Sequence, residues 1–197
     1  LCKDKLLTCR RFSEWVPETR EASDENIEEM LDDYGKVVLK PRYDYGGAGI
    51  HIIDAEKVIP DFKDDYIVQR FIDSSSGFKD LVTGYHDVRA IVVNGKLLSS
   101  YLRYNSDSEI SNVQQGGTKK AISVSEFPEE AQNIVDDISS GLEFEPALFS
   151  VDFFFDQNDQ PWIVELNSKP GLTIYNDKMK EEITPVMREL ITGFKQL

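Results

Sequence analysis

Short apolar runs bounded by glycine, proline and Asn-Gly signals punctuate this chain, and longer stretches carry a helical pattern. KVVLK (36–40), IHII (50–53), YIVQRFI (66–72), HDVRAIVV (86–93), KLLSSYLRY (96–104) and TKKAISV (118–124) read as strands. Asn94-Gly95 between two of them predicts a hairpin. Residues 3–15 read as a helix that Pro17 stops, beginning the extended segment VPET. Ser23 is placed to cap a second helix, with Asp24 and Glu25 in its first turn, Ile27, Met30 and Leu31 as its buried stripe and Gly35 at its end. Pro128 opens a third helix reaching Ser140, and a closing helix is expected over 178–194. Asp73 to Gly77 is a Ser/Gly-rich connector and the expected subdomain boundary. Hairpins dominate and strands do not alternate regularly with helices, so the fold class is α+β.

The most informative stretch is ALFSVDFFFDQNDQPWIVELN (147–167), two strands joined by the turn Gln157-Asn158-Asp159-Gln160. With Asp156 facing Pro161 across four loop residues, Asp152 lies opposite Glu165. Two carboxylates so placed sit ~5 Å apart and repel. A hard divalent cation is the simplest compensation, and Asn167 projects from the same face as Glu165. The set suits magnesium holding a phosphate. A solvated acidic pair and a calcium site are the competing readings.

Composition narrows the classes. The chain has 197 residues, enough for one domain or two small subdomains sharing a core. Hydrophobic residues make up 40%, which supports a packed core. The net charge of −14 opposes a nucleic-acid partner and an anionic membrane surface. Cys2 and Cys9, seven apart on the expected first helix, would be ~10 Å apart and beyond disulfide reach. They read as reduced thiols of a cytoplasmic protein, with no signal segment or long apolar run. The chain starts with Leu inside a helix-like segment, which suggests a fragment of a longer protein.

Lys40 ends a strand and leads into the loop PRYDYGGAG, whose Gly46, Gly47 and Gly49 leave backbone N–H groups open to phosphate oxygens. No Gly-Lys-Ser/Thr follows, so this is not a Walker motif, and a plain flexible loop competes with the phosphate reading. Asp87 and Arg89 share one face of their strand, with Arg103 on the partner strand. They read either as a surface salt-bridge group or as an arginine that meets phosphate charge in a transition state. His51 and His86 are the only histidines, and no hydrolase triad is apparent.

In order, VVLKP with GGAGI, IVQRFI, HDVRAIVV, SVDFFF and ELNSKPG resemble the ATP-grasp superfamily of ligases, most closely the ribosomal-protein glutamate ligase and glutathione synthetase group. The resemblance runs from Lys5 to the closing helix. It implies ATP held between two α+β subdomains. Residues 1–16 would lead in from an N-terminal domain of the same protein, 17–73 would form the smaller subdomain, and 74–197 the larger one with the magnesium site. It implies nucleotide contacts from Lys5, Lys40 and the glycine loop, an adenine hinge at Gln69, Arg70, Phe71 and Ile72, Asp87 near the ribose, and Asn112 near the active site. Asp152, Glu165 and Asn167 would hold two magnesium ions, manganese being the alternative. Arg103, with Lys40, would stabilise the transferred phosphoryl group. The implied reaction joins a carboxylate substrate to an amine substrate through an acyl phosphate, releasing ADP and phosphate. A nucleotide-binding module without catalytic activity is the second reading, and an acidic protein-interaction domain a third. The hinge often carries Glu where this chain has Arg70, and Ile110 stands where the ribosomal-protein ligases carry Arg. The identity of either substrate is not legible.

Overall fold

In the computed structural model, two antiparallel sheets carry the chain. The structure describes residues 2–43, 48–56, 58–62, 65–105, 109, 118–141 and 147–171, with helical positions 177, 180, 181, 184, 187, 188, 191 and 192. The architecture is α+β.

The first sheet has the order β1-β4-β2-β3, built from β1 (Thr19–Glu21), β2 (Lys36–Pro41), β3 (His51–Asp54) and β4 (Tyr66–Arg70). Helix α2 (Asp24–Tyr34) packs Ile27 and Met30 against Val37, Leu39, Ile53 and Val68 of this sheet. Its ends follow the sequence. The Ser23 side chain accepts from the Asn26 N–H, and Gly35 closes the helix at φ 69°, a conformation that favours glycine.

The second sheet has the order β7-β6-β5-β8-β9. Its strands are β5 (Tyr85–Val93), β6 (Lys96–Asn105), β7 (Thr118–Ile122), β8 (Leu148–Phe155) and β9 (Pro161–Asn167). One face buries Val88, Ala90, Leu102, Val151 and Phe153 beneath Ala131, Ile134, Val135 and Ile138 of α3 (Glu129–Ser140). Asn94 and Gly95 take φ 47° and 75° in the β5–β6 turn, as an Asn-Gly hairpin requires. The connector before β5 is pinned to it, because Ser74 Oγ accepts from the His86 N–H and Ser74 O lies 2.9 Å from His86 Nδ1.

Helix α1 spans Lys5–Arg11, shorter than expected; turns occupy 12–15. Cys2 therefore precedes the helix instead of sharing it with Cys9, and both cysteines are free thiols. TKKAISV splits into β7 and a 3-10 turn at Val124–Glu126. The expected strand at 66–72 ends at Arg70. Described positions between 177 and 192 are helical. No described helix is long and apolar enough to cross a membrane.

Candidate active site

The β8–β9 hairpin sets the acidic centre. Phe155 faces Pro161 and Phe153 faces Ile163, and then a bulge at the Asp152/Phe153 step shifts the register. Beyond it Asp152 faces Glu165, Val151 faces Leu166 and Ser150 faces Asn167. The expected facing of Asp156 with Pro161 is thus corrected. Asp156 is instead the clamp of the turn: its Oδ1 accepts from the N–H groups of Asn158 and Gln160, and its Oδ2 from Trp162 Nε1 at 3.1 Å. The bulge explains a spacing that simple alternation forbids. Ile163 and Leu166, three apart, both enter the core, while Glu165 and Asn167 turn to the other face.

That other face carries two rows of polar residues. Tyr101, Arg89, Asp152 and Glu165 are successive partners across β6, β5, β8 and β9. Lys119, Arg103 and Asp87 form the next row across β7, β6 and β5. Arg89 grips Asp152 with two bonds, Nε to Oδ1 at 2.6 Å and Nη2 to Oδ2 at 2.5 Å. Arg103 donates to Asp87 Oδ1 at 2.5 Å and to Asp152 Oδ2 at 2.6 Å. The group is buried, with Asp152 2% and Asp87 4% exposed, so it is no surface salt bridge. Burial works to raise the Asp152 pKa, but Arg103 and Arg89 outweigh it and hold the carboxyl below its usual range. Burial likewise opposes the charge on Arg103, and the two aspartates overcome it, pushing the guanidinium up.

Cations reach the acidic centre from α1 and β2. Asp4 caps α1 by accepting from the Leu6 and Leu7 N–H groups, and it holds Arg42 through Nε at 2.7 Å and Nη2 at 2.6 Å. This ties the helix start to the residue after β2 and sets Lys5 Nζ 3.7 Å from Glu165 Oε1. Lys40 is buried, and its Nζ donates to Gln69 Oε1 at 2.8 Å. Gln69 is fixed in turn by donating to Thr19 Oγ1 at 2.7 Å. Burial depresses the Lys40 pKa, and the charge on Lys5 adds to the effect. A small cleft beside Lys5 is lined by Cys2, Lys5, Thr8, Cys9 and Glu165 among others.

The hinge residues divide between faces. Gln69 turns toward Lys40, whereas the Arg70 guanidinium lies over the rings of Tyr34, at 5.5 Å, and Trp162, at 5.1 Å. The Arg70 N–H donates to Glu18 O, and the Phe71 N–H to Lys36 O. Ile72 is buried. Gly49 has φ 71°, and a Cβ there would fall 2.6 Å from the Tyr66 hydroxyl, so glycine is required. Gly46, Gly47, Ile110 and Asn112 lie outside the described residues.

The RimK-like ATP-grasp domain family matches residues 16–191 of the chain. The chain belongs to the RimK-like ATP-grasp family. It is 25% identical over 173 residues to the tetrahydromethanopterin:alpha-L-glutamate ligase of Methanocaldococcus jannaschii, covering 79% of this chain and 54% of that protein. It is 31% identical over 159 residues to a protein of Marinomonas sp. named "Probable alpha-L-glutamate ligase", covering 75% and 48%. The chain thus spans about half the length of these curated relatives. Its fold matches the D-alanine–D-alanine ligase of Bacillus anthracis complexed with ATP, with a TM-score of 0.63 at 14% identity over 98% of this chain and 65% of that one.

For an ATP-grasp chain, the donor set fits a hard divalent ion. Asp152, Glu165 and Asn167 offer only oxygen ligands once the Asn167 amide is oriented. In the structure the Asn167 amide nitrogen donates to Glu165 Oε2 at 3.2 Å. Asp152 accepts three hydrogen bonds, and a carboxylate has about four lone-pair directions. Among the described residues no group of three His, Cys, Asp or Glu side chains forms an alternative metal cage. Sequence reasoning left Arg89 out of the site, although strand alternation from Asp87 placed it on the right face. Tyr101 and Lys119 were missed, because only the β6–β7 pairing brings Lys119 beside Arg103.

Proposed function

We propose that this ATP-grasp chain is the nucleotide-binding part of an ATP-dependent carboxylate–amine ligase. The observation that carries the reading is the convergence of Lys5, Lys40 and Glu165, from α1, β2 and β9, beside the buried group of Asp152, Asp87 and Arg103.

Lys5 and Lys40 hold the nucleotide phosphates as point charges, and Gln69 keeps Lys40 aimed. The adenine lies along the chain from Gln69 to Ile72, which contributes backbone atoms, and Asp87 lies near the ribose. Asp152, Glu165 and Asn167 hold magnesium, with manganese as the substitute; the bound ion supplies charge neutralisation to the phosphates. The substrate carboxylate attacks the γ-phosphorus, the bond to the β–γ bridging oxygen breaks, and ADP leaves with that electron pair. The amine then attacks the acyl phosphate and phosphate departs, leaving an amide. Arg103 meets the charge of the transferred phosphoryl group. Glutamate, named in the two relatives, is the first substrate to test. A cytoplasmic setting goes with the free thiols.

Calorimetric titration with ADP, with and without magnesium, tests the reading on the full-length protein. Magnesium-dependent binding that weakens in Glu165→Ala supports it. Equal binding by the variant would remove Glu165 from the metal site, and no binding by folded protein would overturn the nucleotide reading. ADP release stimulated by glutamate and a second substrate separates a ligase from the catalytically silent module, which predicts none.

A further inference from the structure

On the polar face of the second sheet, the groups assigned above run in a direction. Glu165 on β9 and Asp152 on β8 lie at one end, Asp87 and Arg89 on β5 follow, and Arg103 and Tyr101 stand on β6. The next strand, β7, contributes Lys119, the register partner of Arg103. Its Nζ sits 5.1 Å from the centre of the Tyr101 ring.

Apart from the buried Lys40 of β2, which donates to the neutral Gln69, charge matching along this face leaves one cation over. Arg89 and Arg103 are offset by Asp152 and Asp87, and Glu165 is matched by Lys5 at 3.7 Å. Lys119 has no carboxylate partner among the described residues and is exposed at the sheet edge. Partial burial, together with the like charges of Arg89 and Arg103, pushes its pKa below the usual lysine value. An anion seated beside Lys119 would give it the kind of partner that Arg89 and Arg103 already have.

We propose that Lys119, braced on the Tyr101 ring, seats the α-carboxylate of the amino-acid substrate, one strand spacing (~4.8 Å) beyond Arg103. The inference rests on the ligase reading and adds its substrate-recognition residue. The phosphoryl group is met at Arg103, and the substrate extends from there toward β7. Lys119 thus selects for a free α-carboxylate and takes no part in holding the nucleotide.

The test uses full-length protein saturated with magnesium and ADP, titrated with L-glutamate and with isoglutamine, its α-amide. Wild-type protein is expected to bind L-glutamate about tenfold more tightly than isoglutamine, the worth of one charge-assisted contact. Lys119→Gln should erase that preference, and Lys119→Arg should retain most of it. Retention of the full preference by Lys119→Gln, or no preference in the wild type while ADP still binds, overturns the inference and leaves the nucleotide site standing. Failure of the wild type to bind ADP overturns the ligase reading, and this inference with it. Unchanged ADP affinity in Lys119→Gln checks that the variant is folded.

Discussion

Arg89 and Asp152 face each other across β5 and β8 and are joined by two parallel hydrogen bonds of 2.6 and 2.5 Å. The carboxylate proposed to bind metal is therefore also the counter-ion of two guanidiniums, the partly buried one of Arg89 and the buried one of Arg103, which reaches it too. Asp152→Ala should cost about 3–5 kcal/mol of stability, because it leaves those cations uncompensated. Urea unfolding measures this. A loss below 1 kcal/mol would mean that the arginines find water or other partners.

Glu165 should behave differently. Its cationic partner Lys5 is 3.7 Å away, beyond hydrogen-bond reach, and Asn167 is a neutral neighbour, so its removal breaks none of the close charge-assisted bonds that hold Asp152. Glu165→Ala is expected to cost less stability than Asp152→Ala, about 1–2 kcal/mol against 3–5. Comparing unfolding curves of Glu165→Ala and Asp152→Ala checks the contrast, and Glu165 is consequently the cleaner probe of metal binding.

Proton linkage offers a test of Lys40. Its folded-state pKa lies below the ordinary 10.5, chiefly through burial. Between the depressed value and 10.5 the unfolded chain binds more protons, so this group's contribution to stability rises with pH across that window. A phosphate paired with Lys40 would raise its pKa again. ADP binding in that window should therefore take up a fraction of a proton, and affinity should fall as pH increases. Titrations in buffers of different ionisation heat would reveal the uptake, and Lys40→Met should abolish it.

Arg70 stands where the family's hinge often has Glu, and its guanidinium stacks between Tyr34 and Trp162. Arg70→Met should lose about 1–2 kcal/mol, the worth of two cation–π contacts. The ratio of ADP to GDP affinity should change by less than about twofold, under 0.5 kcal/mol. A larger change would place the side chain on the base.

Local chemistry explains what was readable in advance. Ser23, Gly35 and Asn94-Gly95 act through their own backbone geometry, so α2 and the β5–β6 hairpin appear where expected. The facing of Asp152 and Glu165 was also legible, but through an incomplete account of the hairpin. The shorter loop that was assumed and the omitted bulge cancel, because each shifts the register by one residue. Strict alternation along β9 would turn Ile163 to the same face as Glu165, and the bulge is what separates them.

By itself, the sequence determined the elements, the α+β class and the order of motifs, because period, caps and turn residues act within a few positions of one another. Tertiary structure decided how those elements combine. Arg42 closes on Asp4 across 38 positions and Arg89 on Asp152 across 63. Burial then fixed the consequences, making a salt-bridge group on paper into a dehydrated clamp and turning Lys40 into a cation held against its own desolvation. Such effects depend on what water is excluded from, and that is set only when distant segments pack.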